Sequence, residues 1–177
     1  VGRTGRDGGR SRREGDPRRR AVLRAGLGIP AENTVLVGVG RLAEGKNIQE
    51  LLKLRASLGS RPVTLLLVGD GPDRPRLEQV AHDLRLEAPA VIFAGMVPPE
   101  EVPEWYRLGD LFVSASSSET QGLTSIEALA AGVPALCRAD LCLAGVIPEG
   151  EHGWPYPSPA AFPQRLAALL VSPTTHD

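Results

Sequence analysis

From Thr34 onward the chain alternates short apolar runs with stretches whose apolar positions recur at helical spacing. "TVLVGVG" (34–40) predicts a first strand, and "NIQELLKLRASL" (47–58) predicts a helix with Ile48, Leu51, Leu52 and Leu58 near one stripe. "VTLLLVG" (63–69) predicts a second strand and is followed by a helical pattern over 74–84. "AVIFAG" (90–95) predicts a third, and the "PEEVPEWYRLG" after it accommodates Pro103 only in an early helical turn. "LFVSAS" (111–116) predicts a fourth strand, with a following helix that turns Ile126, Leu129 and Ala130 inward. "VPALC" (133–137) predicts a fifth, and "PAAFPQRLAALLV" (159–171) a last helix with Phe162, Leu166, Leu169 and Leu170 as its apolar face.

Runs that are apolar on both faces and separated by helices imply a parallel sheet covered on both sides. The expected class is therefore α/β, a single Rossmann-like domain over 21–177 whose ligands lie beyond the carboxyl ends of the strands. Four polar, glycine-bearing segments fall there: "GRLAEGKN" (40–47), "GDGP" (69–72), "GMVPPE" (95–100) and "SETQGLT" (118–124).

Composition narrows this picture. The 177 residues suffice for one well-buried core, and a formal net charge of −1 gives no reason to expect a nucleic-acid partner. The charge is uneven, because residues 1–20 hold eight arginines against three acids with almost nothing apolar. That stretch reads as a disordered Gly/Arg-rich leader, and it lacks the apolar centre of a signal peptide. No apolar run reaches the length that spans a bilayer. Cys137 and Cys142 form a lone pair with neither a second pair nor clustered histidines, as in a reduced cytoplasmic protein rather than a zinc or disulfide framework. His82, His152 and His176 are expected at the surface.

The candidate chemistry begins with "GRLAEGKN". Gly40, Gly45 and Lys46 match the phosphate loop of nucleoside triphosphatases in spacing and context, but Asn47 stands where that loop needs a magnesium-binding hydroxyl. Arg41 and Lys46 alternatively form a pair of cations able to hold a diphosphate, or are solvated charges before a helix capped by Asn47. In "SETQGLT", Gly122 permits a tight turn after which the amides of Leu123 and Thr124 point at an anion. Glu127 has an ordinary use at the fourth position of a capping box opened by Thr124. Glu119 has no such use, and a carboxylate beside a phosphate site is costly unless donors such as sugar hydroxyls surround it.

Glu119 and Glu127, separated by seven residues and set in "GL" and "EALAAGVP", resemble the paired glutamates of retaining glycosyltransferases of the family 4 type. "GRLAEGKNI", "LLLVGDGP" and "IFAGMV" look like that family's other segments in the same order, and the resemblance spans 17–171. "SETQGLT" and "CLAGVIPEGEHG" look, more narrowly, like bacterial enzymes that glycosylate diacylglycerol. The resemblance implies the C-terminal, donor-binding half of a GT-B fold. Arg41 and Lys46 would hold the diphosphate of a nucleotide sugar, UDP-linked in preference to GDP-linked, with the Leu123 and Thr124 amides on its distal phosphate. Glu119 would bind donor-sugar hydroxyls, Glu127 the ribose hydroxyls, and the Val97 backbone the base, with Gly69 and Asp70 close by. Two departures stand out: Gly45 replaces the Glu usual before the Lys, and "ADLCLAG" (139–145) replaces a glycine pair beside the donor.

The implied reaction is a metal-independent hexosyl transfer without cofactor. The sequence has no Asp-x-Asp motif, and two cations plus a helix start would neutralise the departing diphosphate. The acceptor, a glycan or lipid, would be bound by an N-terminal domain or a partner subunit, so that this chain alone would bind donor without turning over. A cytoplasmic location, peripheral at the inner face of the membrane, accords with a lipid acceptor. The readings left beside this one are a non-catalytic nucleotide-sugar-binding subunit and a phosphate-loop nucleotidase.

Overall fold

The computed structural model describes residues 16–116, 121–138 and 153–171. The strands β1 (Thr34–Val39), β2 (Val63–Val68), β3 (Val91–Gly95), β4 (Leu111–Ser114), β5 (Ala135–Arg138) and β6 (Gly153–Tyr156) form one sheet in the order β3-β2-β1-β4-β5-β6. Every pairing between them is parallel. The helices are α1 (Pro17–Gly26), α2 (Ile48–Ser57), α3 (Arg74–Asp83), α4 (Val102–Leu108), α5 (Gln121–Ala130) and α6 (Phe162–Val171).

Successive strand residues point to opposite faces, and both faces are apolar. Leu36, Leu65, Leu67, Val113 and Leu136 pack with residues of α2, α3 and α6. Val35, Val37, Leu66, Phe112 and Ala135 pack with residues of α1, α4 and α5. The result is the three-layer parallel sheet expected from the runs of apolar residues, with the strand order reversing between β1 and β4.

Four expectations need correction. The leader assigned to 1–20 ends earlier, because residues 17–20 belong to α1: Asp16 accepts a hydrogen bond from the Arg18 amide at 3.0 Å, and Pro17 opens the first turn, where its missing N–H costs nothing. Residues 1–15 lie outside the described ones. On α5, Ile126 is 49% exposed and Ala130 is exposed as well, while Leu129 packs partly buried against the core as expected and Ala128 is fully buried, followed just past the helix by Ala131, small side chains facing the sheet. On α6, Leu170 is 48% exposed while Phe162 and Leu166 are buried. Finally, β6 escaped the pattern, because "GWPY" is four residues long and contains Pro155, which a strand tolerates at a sheet edge.

Asp110 ties α1 to the sheet. Its Oδ2 accepts from the Val35 amide at 2.8 Å and from Arg24 Nη2 at 3.0 Å, and its Oδ1 from Arg20 Nη2 at 2.8 Å. Arg24 is buried and also donates twice to the Leu108 carbonyl. Burial acts to raise the Asp110 pKa, but the Val35 amide, the Arg20 hydrogen bond and the charges of Arg24 and Arg20 outweigh it and hold the carboxyl below its usual value. Such a group stabilises the fold above the unfolded carboxylate pKa, and the contribution is lost as pH falls through the lower folded value. Asp110→Asn is therefore expected to cost roughly 2 kcal/mol near neutral pH, with the gap to the unaltered chain closing below about pH 4; urea unfolding of both proteins at the two pH values checks it.

Candidate functional site

The site is built where the carboxyl ends of β1, β2 and β3 converge. A cleft of about 640 Å³ there is lined by Val39, Gly40, Arg41, Gly69, Asp70 and Val97 among others, so four residues singled out in the sequence, Arg41, Gly69, Asp70 and Val97, share one cavity. Its walls are backbone packed on backbone. Gly69 has φ +131°, and a Cβ there would overlap the Gly40 carbonyl; a Cβ on Gly71 would overlap the Leu42 carbonyl. Hydrogen bonds lock the same approach, from the Leu42 amide to the Asp70 carbonyl at 3.1 Å and from the Asp73 amide to the Leu42 carbonyl at 3.0 Å, and the Gly69 amide ties the end of β2 to β3 through the Gly95 carbonyl at 2.8 Å. Asp70 is held by its own loop: Oδ1 accepts from the Gly71 amide at 2.7 Å and Oδ2 from Arg74 Nη1 at 3.3 Å. Met96 is 80% exposed at the mouth of the cleft.

Arg41 is exposed on the cleft, while Lys46 lies farther along the same loop, at the end of a short 3₁₀ turn, Glu44–Lys46. That turn does not end in the side-chain cap expected of Asn47. Asn47 instead adopts a left-handed backbone, φ 52° and ψ 36°, and sends its amide Nδ2 to the Ala115 carbonyl at 3.3 Å. The Ser116 hydroxyl reaches the Gly45 carbonyl at 3.5 Å. The loop carrying the cations is thereby fastened to the end of β4, across the point where the strand order reverses.

Helix α5 follows β4 and begins at Gln121, earlier than the capping-box reading requires. Gly122 and Leu123 fall in its first turn, where amides lack intrahelical partners, with Thr124 at the end of that turn. Glu127 sits mid-helix and does not cap. Its Oε2 accepts from the Tyr106 hydroxyl at 3.0 Å. Tyr106 is 1% exposed, tilted against Phe112 with ring centroids 5.8 Å apart, and its pKa is pushed far up by burial and then by Glu127, so the hydroxyl stays protonated and donates. Glu119 and the "ADLCLAG" segment lie outside the described residues. Tyr106, Gly71 and Met96 were not singled out from sequence; the "VPEWYRL" pattern sets Tyr106 one turn beyond Val102, which lines the cleft, but nothing in it announces the Glu127 contact.

Among the described residues, no three His, Cys, Asp or Glu side chains gather where they could hold a metal ion, and no helix is long and apolar enough to cross a membrane.

A parallel 3-2-1-4-5-6 sheet with a cleft at the carboxyl ends of its central strands defines the Rossmann-like class of ligand-binding domain. Residues 19–176 match the model of the family described as Glycosyl transferases group 1, and the chain belongs to that family. It is 38% identical over 133 residues to an alpha-monoglucosyldiacylglycerol synthase of Streptococcus pneumoniae, covering 74% of this chain and 30% of the relative. A synthase of the same name from Acholeplasma laidlawii is 35% identical over 134 residues, covering 75% of this chain and 33% of the relative. In structure it superposes with a TM-score of 0.78 on the Anabaena protein Alr3699/HepE, solved in complex with UDP and glucose, at 23% identity over 89% of this chain and 44% of that one. The architecture is that of the C-terminal half of a GT-B glycosyltransferase, and the chain spans about a third of the length of the two synthases.

The glycine contacts make a sharp prediction. Gly69→Ala demands both a strained backbone and displacement of the Gly40 carbonyl, so it should destabilise the fold by about 3 kcal/mol or more. Gly45→Ala, where nothing lies within 4 Å of the added methyl, should be nearly silent, and thermal unfolding of the pair tests the contrast.

Proposed function

We propose that this chain is the donor-binding half of a retaining glycosyltransferase of the family 4 type that moves a hexose from a nucleoside-diphosphate sugar to a lipid or glycan acceptor. The observation that carries the reading is the gathering of Arg41, Gly69, Asp70 and Val97 around one cleft, with the Arg41–Lys46 loop fastened to the end of β4. In this reading the base meets the Val97 backbone beside Gly69 and Asp70, and the ribose hydroxyls meet Glu127, held by Tyr106. The diphosphate lies between Arg41, Lys46 and the first-turn amides of α5, including those of Gly122, Leu123 and Thr124. Glu119 receives hydroxyls of the transferred sugar. The names of the two synthases support a lipid acceptor, and the Anabaena complex supports UDP in preference to GDP as the carrier.

As the acceptor hydroxyl oxygen bonds to the sugar's anomeric carbon and gives up its proton, the bond from that carbon to the phosphate oxygen breaks, and the distal phosphate of the departing diphosphate gains a second negative charge. Arg41 and Lys46 bring two positive charges, and the start of α5 adds roughly half a charge more. Groups fixed in place before the reaction stabilise that developing charge without reorganising, and loss of one such donor raises the barrier by about 3 kcal/mol. The proposed transfer is metal-independent on this account. The acceptor, and any group that orients it, would be held by an N-terminal domain or a partner subunit, which a lipid acceptor would bring to the membrane surface.

Calorimetric titration with UDP, GDP, ADP and ATP, each with EDTA and with magnesium, tests the reading. UDP should bind equally well in both conditions, and Arg41→Ala should abolish measurable binding. Unchanged affinity in Arg41→Ala would remove that residue from the site, and magnesium-dependent binding of ATP alone would favour a phosphate-loop nucleotidase.

A further inference from the structure

Glu50 stands in the first turn of α2, outside the lining of the nucleotide cleft, with its side chain only 11% exposed. A carboxylate so nearly buried is costly unless donors surround it. It has three, from three separate parts of the fold. Arg138 Nη1, at the carboxyl end of β5, donates to Oε1 at 2.9 Å. Asn47 Nδ2 and the Tyr156 hydroxyl, the latter at the end of β6, donate to Oε2 at 3.2 and 3.3 Å. Tyr156 is fully buried and edge-on to Phe162, ring centroids 5.2 Å apart, so it offers a fixed anchor.

The Asn47 amide is shared between Glu50 and the Ala115 carbonyl. These two bonds hold a non-glycine residue in the left-handed region, where L side chains are uncommon. Lys46 is the residue immediately before it. The backbone direction at Asn47 therefore sets where Lys46 leaves the loop, and β5, which bears Arg138, lies two strands from β1 in the sheet.

We propose that Glu50 is a positioning residue for the diphosphate end of the donor site: it holds Asn47, and through it Lys46, and it keeps the Arg138 guanidinium at the carboxyl edge of the sheet. This rests on the donor-site reading above. The role runs against simple charge arithmetic, because removing a carboxylate near a bound dianion should otherwise tighten binding.

The experiment is calorimetric titration of the full chain with UDP and with UMP, using the unaltered protein, Glu50→Gln, Lys46→Ala and the double variant. Glu50→Gln is expected to weaken UDP binding about tenfold or more while changing UMP binding little, and to add almost nothing in the Lys46→Ala background, because residues acting through one another are not additive. Tyr156→Phe, which keeps the ring and drops one of the three donors, is expected to give a smaller loss in the same direction and carries the test if Glu50→Gln does not fold. UDP binding that is unchanged or tighter in Glu50→Gln, or equal losses for UDP and UMP, overturns the positioning role while the donor site stands. An unaltered chain that does not bind UDP overturns the donor site and the positioning role together.

Discussion

The ends of β1 and β2 meet backbone to backbone, and the rest of the site takes its shape from that approach. Gly69 lies against Gly40 and Gly71 against Leu42 with no room for a side chain between them, so two loops from neighbouring strands form one rigid wall. Amide-to-carbonyl bonds across the contact satisfy groups that would otherwise be stranded at strand ends. Arg41, from the loop after β1, and Met96 and Val97, from the loop after β3, line the cleft along with this wall. A sheet whose order reverses at β1 and β4 opens a crevice there, and the two loops close its near side.

Electrostatics then builds on that frame. The cationic loop is fastened to β4 by Asn47 and Ser116, which brings it beside the junction from which α5 departs. A helix of ten residues begins just past that junction, and its partial positive charge acts over the first turn. A carboxylate held in one orientation needs its own donors, and Glu127 and Glu50 have them: Glu127 has Tyr106, and Glu50 has Arg138, Asn47 and Tyr156. Each is oriented by a buried tyrosine on an element other than its own.

Much of this was legible in the sequence because it depends on local pattern. Short, doubly apolar runs such as Val63–Val68, bounded by glycine and separated by helical patterns, read as central parallel strands, and the glycines that end them mark where loops approach each other. Positions decided by contacts distant in sequence were not legible. Ile126 reads as an inward residue by hydropathy, yet it is exposed while Ala128, two residues on, is fully buried against the sheet and Leu129 packs partly buried beside it. Arg18 to Arg20 read as tail because arginine is rarely structural, and the ties of Arg20 to Asp110 and to the Arg107 carbonyl span nearly ninety residues. Glu127 reads as a cap, since nothing nearby in sequence points to Tyr106, twenty-one residues earlier.

The central claim is that the crevice grips a diphosphate through prepositioned cations and peptide amides. The comparison of UDP with UMP affinity on the unaltered chain, in EDTA throughout, measures that grip most directly. A distal phosphate held by Lys46, Arg41 and the α5 amides gains two or more charge-assisted bonds, so the account predicts UDP binding at least about a hundredfold tighter than UMP. Equal affinities for the two nucleotides would contradict it.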